Sequence, residues 1–153
     1  MTIRPAQPSD EKQVVELVRT ILDQEFPADR AAYTIDDLEQ LAQSYGGRGS
    51  GFLVAEEGNR IVGTCGIKAE SDKRAMLRRF FVEPSSRRQG VGSALLKEAV
   101  SFCRSHSFRE IVISTSTRME QAIRLCRALG FKEDGRWSMG EITLIRFHLR
   151  LTG

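Results

Sequence analysis

Apolar residues recur along this chain with two spacings, and the switches between them divide it into elements. Thr2 to Ala6 reads as a short strand. Ser9 then stands as a helix N-cap ahead of Asp10 and Glu11 in the first turn, and Val14, Leu17, Val18 and Ile21 follow at the i, i+3, i+4, i+7 spacing of one apolar helical stripe. Pro27 lies just beyond the end of that helix. Thr34 with Asp37 three residues on has the form of a capping box, and Leu38, Leu41, Ala42 and Tyr45 repeat the helical spacing, which predicts a second helix. Gly46, Gly47, Gly49 and Gly51 then break the pattern with a loop of many accessible backbone conformations.

Three strands are predicted next, at Phe52 to Glu56, Ile61 to Ala69 and Ala75 to Val82, separated by the turn sequences Glu57-Gly58-Asn59 and Ser71-Asp72-Lys73. Such short turns favour antiparallel neighbours. Ser93 to Ser105 reads as a helix, Ile111 to Ser114 as a brief β-branched strand, and Arg118 to Leu129 as another helix closed by Gly130 in a left-handed C-cap. Trp137 and then Ile142 to Leu151 read as further strand. The order predicts an α+β, or mixed α/β, layered protein without repeats or linkers.

The composition refines this picture. The 153 residues, 41% hydrophobic and 28% charged, match an ordinary globular chain and are expected to form one domain, 1–153. Cys65, Cys103 and Cys126 are odd in number and widely spaced, and with only two histidines no metal is expected. A reduced, cytoplasmic setting fits best. No apolar run reaches the length of a membrane span, and Met1 to Asp10 lacks an apolar segment suited to a signal peptide. A net charge of +3 is too small to argue for nucleic acid unless it is concentrated. Lys73, Arg74, Arg78, Arg79, Arg87 and Arg88 do fall in one short stretch, as either a basic patch or a solvated face, but few aromatic residues accompany them for base stacking.

That stretch also carries the most informative chemistry. Between Leu77 and Leu96 a strand is expected to end in a turn that opens a helix, so that the first amide N–H groups of the helix point outward at its positive dipole end. Glycines at 90 and 92 would let a bulky diphosphate approach those amides, with Arg87 and Arg88 as charge-assisted donors. The dinucleotide fingerprint fails, because Leu95 stands where its third glycine is needed. The nucleoside-triphosphate loop also fails, since no glycine precedes a Lys-Ser or Lys-Thr pair.

Val82-Glu83-Pro84, Arg87-Arg88-Gln89-Gly90-Val91-Gly92 and Leu95-Leu96 resemble the first signature of the GNAT superfamily of N-acetyltransferases. Ala122-Ile123-Arg124-Leu125-Cys126-Arg127-Ala128-Leu129-Gly130-Phe131 is similar to its second. The resemblance implies a central, mostly antiparallel, splayed sheet of six to seven strands flanked by about four helices. It implies acetyl-CoA as cosubstrate, with pyrophosphate on the amides of Gln89, Gly90, Val91, Gly92 and Ser93, contacts from Arg87 and Arg88, and pantetheine along Phe80, Phe81 and Val82. It further implies direct acetyl transfer within a ternary complex to a primary amine of a small molecule, peptide or protein, with the backbone N–H of Val82 steadying the oxyanion. A homodimer is compatible with it.

The chain departs from the family pattern at three positions. Cys126 replaces the tyrosine that commonly serves as acid; a thiol can protonate a thiolate of similar basicity, but Cys126 shares its helical position with Met119, Ala122 and Ile123 and is equally read as packing. Tyr45 is an alternative hydroxyl or a core residue. Met119 stands where many relatives have asparagine and is expected to pack against pantetheine, and Met76 stands where many have a glutamate that serves the amine. The base is left among Glu70, Glu133, Asp134, Glu141 and His148, the last also read as structural. Glu25, Asp29, Asp36, Asp37 and Glu39, in the region that sets specificity in the family, suit a cationic amine or an ordinary helix surface. The departures also admit a catalytically weak acyl-CoA sensor, and the basic stretch a nucleic-acid binder.

Overall fold

The computed structural model describes residues 1–151 and, at 30–32, the course of the backbone only. Among the described residues seven strands form one open sheet: β1 (Thr2–Pro5), β2 (Gly51–Glu57), β3 (Arg60–Ala69), β4 (Arg74–Val82), β5 (Glu110–Ser116), β6 (Lys132–Met139) and β7 (Ile142–Arg150). Their spatial order is β1-β2-β3-β4-β5-β7-β6, antiparallel at every contact except β4 with β5. Four α-helices among these residues complete the fold: α1 (Glu11–Glu25), α2 (Leu41–Tyr45), α3 (Val91–Ser105) and α4 (Glu120–Ala128). This is the mostly antiparallel, helix-flanked sheet that the family resemblance implies, and it agrees with the layered α+β order read from the pattern.

The sheet is covered on both faces, which is why β2 and β3 read as nearly continuous buried runs rather than as alternation. On one face Leu95, Leu96, Ala99 and Cys103 of α3 pack with Cys126 of α4 against Ala55, Val62, Ile67, Leu77 and Ile111. On the other, Val14, Val18, Ile21 and Leu22 of α1 join Leu38, Leu41 and Tyr45 over Phe52, Val54, Ile61 and Phe81. Neighbours such as Phe52 and Leu53 point to opposite faces, as successive strand residues must.

Three local expectations change. Ser9 is not the N-cap of the first helix: the chain enters α1 through a 3-10 turn at Pro8–Asp10, and the Asp10 carboxylate accepts the Gln7 N–H at 2.7 Å while Arg4 clamps it at 2.7 and 3.0 Å. Asp37 does not close a capping box, because its carboxylate faces Arg79 across the molecule, and α2 is a single short turn behind the 3-10 segment Leu38–Gln40. The strand begun at Trp137 is in fact all of β6; almost every residue of this edge strand is solvent-exposed, so it carries no alternation to read.

The consequential irregularity lies in β4. Arg78 pairs with Gly66 and Phe81 with Thr64, so Arg79 and Phe80 stand opposite Cys65 alone. This is a β-bulge, and Arg79 adopts φ +55° within it. The buried Thr64 Oγ1 donates to the Arg79 carbonyl at 2.7 Å, and the Arg79 guanidinium grips Asp37 at 2.7 and 3.0 Å while the Tyr45 hydroxyl donates to the same carboxylate. β4 and β5 are paired only from Arg74–Leu77 to Glu110–Ile113. Beyond the bulge they separate, and a gap opens through the sheet.

Candidate active site

The gap continues outward into a cleft of ≈ 430 Å³ between the end of β4 and the start of α4. Phe80, Phe81 and Val82 form one wall, and Met119, Ala122 and Leu125 form the other. Local strand geometry sets which backbone groups face it. The Glu83 N–H donates to the Val62 carbonyl at 2.8 Å, so Glu83 points at β3 and Val82, one residue back, points its N–H and C=O the opposite way. Arg87 Nε, from a residue that lines the cleft, donates to that Val82 carbonyl at 3.0 Å, and the Val82 N–H faces the same way, away from β3.

At the same end stands the N-terminus of α3. After β4 the chain makes a 3-10 turn at Pro84–Ser86 and enters the helix through Gly90, whose φ of +83° is left-handed. The Ala94 N–H bonds back to the Gly90 carbonyl at 3.0 Å, so the N–H groups of Val91, Gly92 and Ser93 before it have no intrahelical acceptor. With the helix dipole behind them they make an anion site, and Arg88 and Gln89 are exposed beside it. The two glycines differ in purpose. A Cβ built on Gly90 meets nothing within 4 Å, whereas one on Gly92 lies 2.7 Å from Leu125 Cδ1, 3.4 Å from Val82 Cγ2 and 3.6 Å from Phe80 Cζ. Gly90 keeps the cradle open; Gly92, expected to do the same, instead lets α3 sit tightly against α4 and β4. Those contacts also place the helix N-terminus directly beside the cleft walls.

Three of the six charged groups expected to line a basic patch are spent in pairs. Arg74 pairs with Glu110 and Glu70, Arg79 is buried against Asp37, and Arg87 lines the cleft while bridging Glu25 at 2.5 and 2.9 Å. Among the described residues no group of three or more His, Cys, Asp or Glu side chains is disposed to hold a metal ion. Nor, among the described residues, is any helix long and apolar enough to cross a membrane.

Met119 is buried at the entry to α4, where its Sδ accepts the Thr115 hydroxyl at 3.4 Å, and it lines both cleft and gap. Cys126 lies elsewhere: its side chain is fully buried in the α3 face, apart from Met119 and Ala122, and burial pushes its thiol up to about 12. Tyr45 is likewise a core residue, donating to Asp37 and packed edge-on to Phe52. Met76, half-buried on β4, offers no proton acceptor. Glu70, Glu133, Asp134 and His148 are engaged by Arg74, Arg136, Arg146 and Glu110 respectively, and with Glu141 they lie outside the cleft lining.

Of the acidic residues between the first helix and the second strand, Glu25 reaches the cleft and Asp29 is fully buried, bonded to Arg118 at 2.8 Å. Arg118 and Glu120 line the cleft and Tyr33 the inner gap, none of them anticipated. Tyr33 sits in an irregular segment without periodicity, and its neighbours across the fold are more than 40 positions away, so no sequence signal marks it.

The sequence profile of the acetyltransferase (GNAT) family matches residues 15–131. Rat N-acetyltransferase 8B is 36% identical over 107 residues, covering 66% of this chain and 48% of that protein, and rat N-acetyltransferase 8 is 34% identical over 113 residues, covering 70% and 51%. The chain thus spans about half the length of these curated relatives. An acetyltransferase from Streptococcus agalactiae superposes with a TM-score of 0.86 at 24% identity over 98% of both chains, and yncA of Salmonella typhimurium, solved with its cofactor acetyl-CoA, with 0.81 at 20% over 99% and 94%. With both signatures, the splayed sheet and the helix-terminal cradle in place, the chain belongs to the GNAT family of acetyltransferases.

Proposed function

We propose that residues 1–153 act as one acetyl-CoA-dependent N-acetyltransferase domain whose acceptor is a primary amine of a small molecule, peptide or protein. The observation that carries this reading is the continuity of three features: the amide cradle at α3, the cleft along Phe80 to Val82, and the gap where β4 leaves β5. Diphosphate suits the cradle, because three outward N–H groups and a helix dipole face open space over Gly90. The amides of a pantetheine arm suit the separated edge of β4, as a peptide strand suits a sheet edge. The acetyl-CoA complex of yncA, which has the same fold, supports the assignment.

Transfer is direct. The amine lone pair attacks the thioester carbonyl, the N–C bond forms, and the C–S bond breaks with its electron pair passing to sulfur. The amine proton is released to solvent and the thiolate takes one up. The Val82 N–H is the donor for the oxyanion. All three cysteines are buried in the core, which leaves no thiol along the cleft to carry the acetyl group in a double displacement.

Calorimetric titration with acetyl-CoA, against dephospho-CoA, is the first test, followed by thiol release with a panel of primary amines. Micromolar binding with amine-dependent release of CoA is expected. Binding without release for any amine would favour an acyl-CoA sensor, a reading kept open by the absence of an ionisable side chain at Met76 and the burial of Cys126. No binding would refute both.

A further inference from the structure

On the acetyltransferase reading above, the cofactor fills the cleft from the α3 N-terminus. The gap behind it, which has Phe80, Phe81, Met119 and Ala122 in common with the cleft, opens towards the α1 face, so that face is where an acceptor amine enters. It is short of free carboxylates. Among the described residues no acidic side chain lines the gap. Of the acids around it, Glu25 is held by Arg87, Asp29 by Arg118 and Asp37 by Arg79, and the half-buried Met76 on β4 carries no charge. A plain cation finds nothing there to pair with.

Positive charge, in contrast, is in surplus. Leu77 packs in the α3-face core, so Arg78, the next residue of β4, points to the α1 face. The bulge then turns Arg79 to that same face, where Asp37 takes it up. One carboxylate thus serves two consecutive guanidiniums: Arg79 bonds to it, whereas Arg78 acts on it through charge alone. On the same side the Lys68 ammonium lies 5.6 Å from the centroid of the Tyr45 ring. Arg78 is half-buried and lines the gap with the exposed Ser114, and its guanidinium has no ion pair or hydrogen bond with any described residue. Its partner on β3 is Gly66, which brings no side chain against it. Resting on the acetyltransferase reading, we propose that the acceptor is an amine that also carries a carboxylate, and that Arg78 binds this carboxylate where the gap opens on the α1 face. The planar guanidinium offers two parallel N–H donors to the two carboxylate oxygens, and the Ser114 hydroxyl stands beside it as a further donor.

The test compares each carboxylate with its neutral amide, by release of coenzyme A from acetyl-CoA. One pair is a free amino acid and its carboxamide; the other is a dipeptide amide with aspartate in second place and its asparagine counterpart. The paired amines differ in basicity, so the quantity read is the change in their kcat/KM ratio on Arg78→Met, in which that difference cancels. In one of the two pairs the preference for the carboxylate is expected to fall about tenfold or more, the size of a lost charge-assisted hydrogen bond. Arg78→Lys, which keeps the charge without the fork, is expected to retain part of it. The pair that responds tells whether the acceptor is a free amino acid or an acidic peptide. An unchanged ratio in both pairs, including an equal fall for carboxylate and amide, would overturn the proposal, as would turnover confined to amines without a carboxylate. Binding of acetyl-CoA with no release to any amine, charged or neutral, would overturn the acetyltransferase reading, and the proposal with it.

Discussion

Replacing Asp37 by Ala removes the carboxylate on which the β4 bulge depends. In the folded protein the Arg79 side chain is 5% exposed and that of Asp37 12%, so the pair is out of water. Two N–H groups of Arg79 and the Tyr45 hydroxyl all donate to Asp37. Without it, a buried guanidinium and a buried phenol lose their acceptor together. Removing one partner of such a pair costs about 3–5 kcal/mol, because the surviving charge is left uncompensated. Against a total stability of about 5–15 kcal/mol, that is enough to move the urea midpoint by a large fraction of its value at unchanged m. The second arm is Asp37→Ala with Arg79→Met, which removes the orphaned charge too. If the cost comes mainly from leaving the Arg79 charge desolvated and unpaired, the double variant is more stable than Asp37→Ala alone, with a coupling of about 1–3 kcal/mol. Urea unfolding followed by far-ultraviolet circular dichroism measures both. A cost below about 1 kcal/mol for Asp37→Ala, or strict additivity in the double variant, would refute the idea that this buried pair holds the bulge.

Four further outcomes are expected. Burial acts to raise the Asp37 pKa, but the hydrogen bonds from Arg79 and Tyr45 and the Arg79 charge outweigh it, holding the carboxylate below its ordinary 3.8. Its stabilising contribution is therefore complete above the unfolded value and lost as pH falls through the folded one, so below about pH 4 the wild type should lose stability more steeply than Asp37→Asn, as acid titration of the urea midpoint would record. Gly90→Val should retain cooperative unfolding, at a cost of about 1–2 kcal/mol for its left-handed backbone, and lose acetyl-CoA affinity by calorimetry. Gly92→Val should lose stability outright, because its side chain enters the space of Leu125 and Val82. Cys126→Ala should cost about 1–2 kcal/mol in urea through the cavity it leaves, with acetyl-CoA affinity unchanged; a selective loss of turnover would restore a catalytic role for the thiol.

Much of this molecule is written locally. The helical stripe from Val14 to Ile21, the β-branched run Ile111 to Ser114, the turns at Gly58 and Asp72, and the glycines at 90 and 130 each act within a few residues, so the element order and the turn from β4 into α3 follow from the sequence alone. The left-handed φ values of Gly90 and Gly130 are what such positions require. Other features arise only where distant segments meet. Asp37 looks like a helix cap until Arg79, 42 positions away, claims it, because a bidentate buried ion pair outweighs a local cap. Gly92 looks like a position kept bare for phosphate until Leu125 takes the space where its Cβ would be. Cys126 reads as sharing a helical stripe with Met119, but Met119 is the non-helical cap ahead of α4 and stays at the cleft, while the orientation of α4 against the sheet turns the thiol into the core. Tyr33 reaches Ser116, 83 positions away, only because the segment after α1 folds over the opened sheet. Backbone propensity and capping act within a turn or two, whereas the splay and its lining depend on which surfaces meet when both faces of the sheet are covered at once.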